Sequence, residues 1–191
     1  MNRIYLEEIG GVWFAVVLGD DGRIGASSFY KDKKDVVKSV LENLPVNASF
    51  TEAKPEGKAL DILRSMSLIY EGEPVNQRFE FDMDRLPSFT RRALLMTYRI
   101  PRGFVATYGG IAEALGDKGA ARAVGNAEAV NPFAPLVPCH RVVAAGLGLG
   151  GYGGGLDVKR AILEREGVTF AGERISRKCL WIPSELKIKL P

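Results

Sequence analysis

The chain has 191 residues, which is long enough to bury a sizeable core in one or two domains. Hydrophobic residues make up 46% of it and charged residues 26%, values close to the globular average, so wholesale disorder and fibrous repeats are excluded. No apolar stretch approaches the ~20 residues of a membrane helix, and acidic residues precede any apolar run at the start, so we expect neither membrane association nor a secretory signal. Two cysteines, Cys139 and Cys179, are too few for a disulfide framework. These features predict a cytoplasmic protein.

Charge is distributed unevenly along the chain. Residues 1–84 hold 10 basic and 15 acidic side chains, whereas residues 85–191 hold 16 basic and 8 acidic ones. Positive charge concentrated in one half indicates that this half meets a polyanion such as nucleic acid. A basic face that contacts only solvent would give the same composition, and charge alone does not separate the two interpretations.

The first half shows the pattern of a small α+β domain. The predicted elements, in chain order, are strands at 12–18 and 24–30 joined by a turn over 19–22, helices at about 33–45 and 56–70, and a half-buried strand at 78–83. None of these segments carries a chemical motif. We therefore predict that residues 1–84 form a structural domain and that residues 85–191 form a second domain, which carries the chemistry.

The second half is predicted to be mostly helical. Ser88 is expected to cap a helix that runs to about Arg99, and Thr107 is expected to cap a short helix that runs through Leu115. After a glycine-containing turn, another helix is predicted over 119–129. Two short helices joined by a tight turn form the outline of a helix-turn-helix, although many helical hairpins share that outline.

The helix predicted over 119–129 is unusually thin, since seven of its eleven residues are alanine or glycine. An ordinary helix is ~10–12 Å across, whereas the minor groove of DNA is only ~6 Å wide. A helix stripped to small side chains could approach that groove if the duplex widened. Arg122 is the one long side chain near its start and is placed to probe the base stack. A tight helix–helix contact would also select small residues, so the pattern has two readings.

The segment Pro138-Cys139-His140-Arg141 holds the chain's only histidine directly after one of its two cysteines. A thiol is strongly nucleophilic only as the thiolate, and an imidazole can remove its proton directly or through one water molecule. Neighbours in a strand point to opposite faces, so cooperation requires a turn at Pro138 or a bridging water. We expect Arg141 to favour the thiolate by its charge. The alternative is a buried cysteine beside a core histidine; zinc is not expected, because at most three nitrogen or sulfur ligands are present.

Glu166 is a candidate for orienting His140. A helix is predicted to begin with Asp157 as its cap and to end at Glu166, with Gly167 as its stop. A carboxylate in the last turn opposes the helix dipole, and a local rule broken in this way can mark function. The alternative is an ordinary surface glutamate.

Residues 146–155 include seven glycines in ten and contain a formal G-x-G-x-x-G. We do not interpret it as a dinucleotide site, because the predicted helix starts too late and no βαβ unit follows. A loop that packs closely beside a ligand fits better, with Tyr152 as its contact. Cys179 is expected to be a buried structural cysteine in a terminal strand.

These residues resemble the O6-alkylguanine-DNA alkyltransferases, also called methylated-DNA–protein-cysteine methyltransferases. The matching segments, in order, are Ser88-Phe89-Thr90-Arg91, Thr107-Tyr108-Gly109, Ala120-Ala121-Arg122-Ala123-Val124-Gly125, Asn131-Pro132, Pro138-Cys139-His140-Arg141, Gly151-Tyr152 and Glu164-Arg165-Glu166-Gly167. The resemblance covers about 88–167. It implies an α+β protein in which an RNase H-like α/β domain precedes a winged helix-turn-helix-like domain.

The resemblance also implies a reaction. A monomer would bind double-stranded DNA containing O6-alkylguanine, flip the damaged base through the minor groove, and move the alkyl group irreversibly to Cys139, once per molecule and without a cofactor. O4-alkylthymine is the expected second lesion. His140 would deprotonate Cys139 through water, Glu166 would hold the imidazole, and Tyr108 would assist rotation and donate a proton toward the leaving purine.

The remaining site residues follow from the same resemblance. Arg122 would fill the gap in the base stack, while Thr90, Ala121, Ala123 and Gly125 would contact DNA. Asn131, Pro138 and Arg141 would support the active site, and Tyr152 would line the alkyl pocket.

Two other classes of protein fit the residues less well. A helix-turn-helix regulator or lesion-binding protein without transfer activity would bind DNA independently of the Cys139 thiol. A cysteine hydrolase built on Cys139, His140 and Glu166 would turn over repeatedly and ignore DNA.

Overall fold

A computed structural model describes residues 2–45 and 48–183, which fall into two compact units. The first unit comprises the chain up to Tyr70 together with the segments Pro74–Arg85 and Pro132–Leu136. The second comprises Glu71–Glu73, Leu86–Asn131 and the chain from Val137 onward. In the described part of the chain, no helix is long and apolar enough to cross a membrane.

The first unit is a four-stranded sheet with two helices. Its elements are β1 (Asn2–Ile9), β2 (Val12–Leu18), β3 (Ile24–Tyr30), α1 (Lys33–Glu42), β4 (Phe50–Ala53) and α2 (Gly57–Tyr70). The strands lie in the order β3-β2-β1-β4, with β4 parallel to β1 and the other pairs antiparallel. Both helices contact the central strand β2.

Strand β2 is buried on both faces, which explains its unbroken apolar sequence. On one face, Ala15 and Val17 pack with Val36 of α1. On the other, the ring of Phe14 contacts the ring of Tyr70 at the end of α2, with centroids 6.1 Å apart.

The predictions for the first unit were confirmed for strands 12–18 and 24–30 and, to within three residues at the ends, for both helices. Strands β1 and β4 were missed, because charged residues interrupt the apolar pattern of β1 and β4 is short and largely exposed. The strand predicted at 78–83 was wrong: it contributes only an isolated bridge between Phe81 and Ile24.

The second unit is mostly helical, as predicted. Its elements are α3 (Ser88–Thr97), β5 (Ala106–Thr107), α4 (Tyr108–Ala114), α5 (Ala121–Ala129), a 3-10 turn (Cys139–Arg141), β6 (Val142–Val143), α6 (Leu156–Arg165), β7 (Phe170–Ala171) and β8 (Arg174–Ile175). Strands β5 and β6 pair in parallel, and β7 and β8 form a small antiparallel hairpin. Helices α3 and α4 both pack on α5.

Of the three helix caps predicted in the second unit, one is confirmed and two are wrong. Thr107 caps α4, its hydroxyl accepting a hydrogen bond of 2.9 Å from the amide of Gly110. Ser88 is not a cap: Pro87 takes that position with an extended ψ of 142°, and Ser88 is the first helical residue. Asp157 is not a cap either, because the chain turns into α6 at Gly155, whose φ of +91° favours glycine.

Cys179 is buried, as predicted, but it lies in a 3-10 turn, Arg177–Cys179, and not in a strand. Its sulfur lies 3.5 Å from both the amide nitrogen and the hydroxyl of Thr169. These contacts assign Cys179 to the packing of this end of the unit.

Candidate active site

Cys139 and His140 occupy a 3-10 turn that follows Pro138, so the predicted turn is present. The turn directs the two side chains differently. Cys139 is partly exposed and lines a cavity, whereas His140 is completely buried. The imidazole Nδ1 has no hydrogen-bond partner among the described residues. The thiol therefore makes no direct hydrogen bond to this nitrogen.

Glu166 holds the other nitrogen of the ring. Glu166 is the C-cap of α6 and is only 2% exposed. Its carboxylate Oε1 lies 3.0 Å from His140 Nε2. Burial opposes its ionisation, but hydrogen bonds from His140 and Arg141 lower the pKa of Glu166 to about 2. The predicted pairing of Glu166 with His140 is confirmed, and the surface alternative is excluded.

The His140 ring is neutral around pH 7, because burial lowers its pKa from 6.5. A neutral ring that donates Nε2–H to the Glu166 carboxylate must carry its lone pair on Nδ1. Glu166 thus fixes the tautomer in which the free nitrogen is a base.

Arg141 binds the Glu166 carboxylate and the backbone. Its guanidinium donates Nε and Nη2 to the Glu166 carboxylate at 2.7–3.1 Å and Nη1 to the carbonyl oxygen of Ile100 at 2.7 Å. All three guanidinium nitrogens therefore bond to the Glu166 carboxylate or to the Ile100 carbonyl oxygen. Arg141 thus contacts Glu166 and the backbone, and its predicted electrostatic effect on the Cys139 thiolate stays a prediction.

The thiol of Cys139 is protonated around neutral pH. Burial and the nearby Glu128 carboxyl raise the pKa of Cys139 to about 11, while a hydrogen bond with the Asn131 side chain and the charge of Lys159 act in the opposite direction. Asn131 also donates its amide Nδ2 to the carbonyl oxygen of Val137 at 2.9 Å. It therefore braces the turn just before the cysteine and contacts the sulfur.

A cavity of about 270 Å³ opens in front of Cys139. The residues around it are Tyr108, Gly125, Glu128, Ala129, Cys139, Gly151, Tyr152 and Gly153. Tyr108 and Tyr152, both predicted site residues, thus reach the same space as the sulfur. The Tyr108 hydroxyl lies 3.5 Å from the carbonyl oxygen of Gly151, and burial raises the pKa of Tyr108.

Four of the five residues predicted to contact DNA lie outside the cavity. Arg122 and Ala123 are exposed on α5 and do not line the cavity, Ala121 is half-buried beside them, and Thr90 is half-buried in α3. Gly125 is the one member of this set that reaches the cavity.

Sequence reasoning missed two buried charged residues near the thiol. Lys159 is fully buried in α6, and its Nζ donates to the carbonyl oxygens of Val142 at 2.6 Å and Gly151 at 3.1 Å. Burial lowers the pKa of Lys159 to about 8. Lys159 lies three residues before Ile162 and so on the apolar face of the helix, and this spacing in the sequence could have predicted its burial.

Glu128 is the second missed residue. It is 7% exposed in α5, four residues after buried Val124, and its Oε1 accepts a hydrogen bond of 2.6 Å from the hydroxyl of Thr97. Burial raises the pKa of Glu128 to about 7. A carboxyl on an apolar helix face was again the available signal.

Among the described residues, no group of three or more histidine, cysteine, aspartate or glutamate side chains is arranged to hold a metal ion.

The chain is similar to known proteins over most of its length. A family model described as the DNA-binding domain of 6-O-methylguanine DNA methyltransferase matches residues 88–168. A protein of Saccharolobus islandicus named methylated-DNA–protein-cysteine methyltransferase is 37% identical over 150 residues, covering 76% of this chain and 91% of that protein. A protein of the same name from Mycobacterium bovis is 45% identical over 134 residues, covering 67% and 81%.

Solved structures agree in fold. The Mycobacterium tuberculosis OGT in complex with DNA superposes with a TM-score of 0.69 at 29% identity, over 86% of this chain and 92% of that one. The O6-methylguanine-DNA methyltransferase of Pyrococcus kodakaraensis gives 0.67 at 29% identity, over 88% and 100%. The mixed α+β fold is thus the fold of these DNA methyltransferases. The sequence identity to the named relatives shows that the chain belongs to the methylated-DNA–protein-cysteine methyltransferase family of enzymes.

Proposed function

We propose that this protein repairs DNA by moving the alkyl group of O6-alkylguanine, and of O4-alkylthymine, from duplex DNA to its own Cys139. The observation that carries the proposal is that the two adjacent residues of the 3-10 turn have different surroundings. Cys139 opens on a cavity, while the adjacent His140 is locked by Glu166 with a basic nitrogen left free. The names of the relatives give the class of substrate.

The reaction starts from a protonated thiol. The proton of Cys139 passes through one water molecule to His140 Nδ1, and the sulfur attacks the alkyl carbon as the bond from that carbon to the base oxygen breaks. The electron pair of that bond stays on the base, and Tyr108 donates a proton toward the leaving purine. The imidazolium that forms is stabilised by the Glu166 carboxylate. A thioether has no easy leaving path, so each molecule acts once and needs no cofactor.

The high pKa of the resting thiol suits this mechanism. A thiol that ionises only as the proton is removed toward His140 stays unreactive toward other electrophiles before the lesion arrives. Activation then depends mainly on the buried histidine, because the charge of Lys159 only partly offsets the effect of burial on the thiol.

The target atom lies on a base edge inside the duplex, so the base must be flipped out at a cost of a few kcal/mol. Arg122 is exposed at the start of α5, where it can fill the gap left in the stack. Thr90, Ala121, Ala123 and Gly125 complete the surface that meets the minor groove. The basic charge of residues 85–191 supports sequence-independent contact with phosphates.

The finer fold assignment is part of the same proposal. A sheet in the order β3-β2-β1-β4 with one parallel pair, covered by two helices, supports an RNase H-like first unit. The α4–α5 pair followed later by the β7–β8 hairpin supports a winged helix-turn-helix in the second unit. The protein is proposed to act as a monomer.

The test is the intact mass of the protein after incubation with duplex DNA that carries one O6-methylguanine. We expect one added methyl group per molecule, on the peptide that contains Cys139, and no addition in the Cys139→Ala variant. A Cys179→Ala variant should react normally. DNA binding without any mass increase would favour a lesion-binding protein, and repeated turnover of an ester or peptide substrate would favour a hydrolase.

A further inference from the structure

Glu128 lines the cavity, and one of its carboxyl oxygens is buried without a hydrogen-bond partner among the described residues. Oε1 of Glu128 accepts the hydrogen bond from Thr97, but Oε2 is buried and has no hydrogen-bond partner among the described residues. Buried polar atoms in folded proteins are nearly always paired, so an unpaired oxygen of a residue that lines a cavity is available for a contact with a ligand.

The groups that face Glu128 do not supply that contact. They come from four segments: Thr97 of α3, Tyr108 of α4, Cys139 of the 3-10 turn and Lys159 of α6. The Lys159 ammonium donates to two backbone carbonyl oxygens and makes no hydrogen bond with Oε2. The mechanism proposed above gives Glu128 no part, so its free oxygen is left for the base that enters the cavity.

Burial also decides what the oxygen can offer. Desolvation raises the pKa of Glu128 to about 7, only partly offset by Thr97 and Lys159, so the carboxyl carries its proton below about pH 7. A neutral carboxyl whose Oε1 is an acceptor presents Oε2–H as a donor. A ring nitrogen without a proton is its natural partner.

Alkylation changes a guanine in this respect. Guanine carries a proton on N1, but an alkyl group on O6 fixes the ring in a form in which N1 has lost that proton and accepts hydrogen bonds. N1 is bonded to the ring carbon that carries O6, so it lies close to the alkyl carbon that must reach Cys139. Alkylation of thymine at O4 converts N3 from donor to acceptor in the same way.

We propose that Glu128 Oε2–H donates a hydrogen bond to this unprotonated ring nitrogen of the flipped base, which makes Glu128 a specificity-determining residue for alkylated over unmodified bases. The inference rests on the proposed function and deepens it. An unmodified guanine presents N1–H, which Oε2 can accept only after the carboxyl has released its proton, so the preference for the alkylated base belongs to the protonated form of Glu128.

The experiment compares two lesions in the same duplex, O6-methylguanine and O6-methyl-1-deazaguanine, in which a C–H replaces N1. The readout is the rate of methyl transfer to Cys139, followed by intact mass. We expect the ratio of the rate on the N1-containing lesion to the rate on the 1-deaza lesion to be roughly tenfold higher for the unmodified protein than for Glu128→Leu, as the loss of one buried hydrogen bond implies. Glu128→Gln, whose amide still donates, should keep most of the ratio of the unmodified protein.

The ratio of the two rates is insensitive to partial loss of folded protein, and any difference in intrinsic reactivity between the lesions is common to all variants. Glu113→Gln, an exposed glutamate of α4, is the matched control and should behave as the unmodified protein. A Glu128→Leu variant with the same ratio as the unmodified protein overturns the inference while leaving the proposed function intact. An unmodified protein that transfers no methyl group from O6-methylguanine to Cys139 overturns the proposed function itself.

Discussion

His140 Nε2 lies 3.0 Å from Glu166 Oε1, with both side chains buried and 26 residues apart in the chain. This contact sets the protonation of the whole ring, because a donor at Nε2 leaves a base at Nδ1. Arg141 shares the same carboxylate, so one buried glutamate holds both residues that follow Cys139.

The Glu166→Gln substitution tests that contact. An amide can donate to Nε2, which would move the ring proton to Nδ1 and remove the base, so we expect methyl transfer to slow at least tenfold, about the lower limit for a catalytic proton transfer. The Arg141 guanidinium also loses its counter-charge, which should lower the free energy of unfolding by about 3 kcal/mol. Single-turnover rates and thermal unfolding measure the two effects. Glu164→Gln, on the exposed side of α6, is the control and should change neither.

Glu128 makes the stability of the protein depend on pH in a defined window. Burial raises the pKa of Glu128 from 4.5 to about 7, so the folded protein retains a proton that the unfolded chain releases between these values. The stabilisation from Glu128 is complete below pH 4.5 and is lost as the pH rises through 7. We expect the Tm of the unmodified protein, relative to that of Glu128→Leu, to fall across this interval. A constant difference would show that Glu128 does not titrate there.

Lys159 is expected to tune the reactivity of the thiol. Its buried positive charge lowers the pKa of Cys139, so Lys159→Met should raise that pKa further and slow alkylation by iodoacetamide about tenfold for each unit of the rise, at any fixed pH below it. The rate of modification of Cys139 against pH measures the shift. Lys118→Met, an exposed lysine, should leave the profile unchanged; a similar effect in both variants would point to general charge and not to this contact.

Arg122 should matter only when the base starts inside a duplex. The side chain is exposed and does not line the cavity. Arg122→Ala should therefore slow transfer from duplex DNA at least tenfold, a loss that corresponds to part of the free energy of unstacking the base. Transfer from a free O6-alkylguanine base should be unchanged. Arg64→Ala removes one exposed charge from α2 and controls for electrostatics alone. Equal losses on both substrates would refute a role in filling the stack.

Much of the local structure was predictable from the sequence. Strands β2 and β3, helices α1 and α2, and the cap at Thr107 follow from apolar spacing and from single side chains that bond to nearby amides. Strand β1 was not predictable in the same way, because only alternate residues of this partly charged segment are buried and its second partner, β4, lies far along the chain.

The order of residues along the chain determined the thiol, the adjacent imidazole, the thin helix and the family resemblance, since each is a pattern of neighbours. Only the tertiary structure decided which charges meet in the interior. It turned Arg141 away from Cys139 and onto Glu166, and it buried Lys159 and Glu128 beside the cavity. The reason is that a pKa and a hydrogen bond depend on distance and on exclusion of water, and both are fixed by helices packing together from distant parts of the sequence.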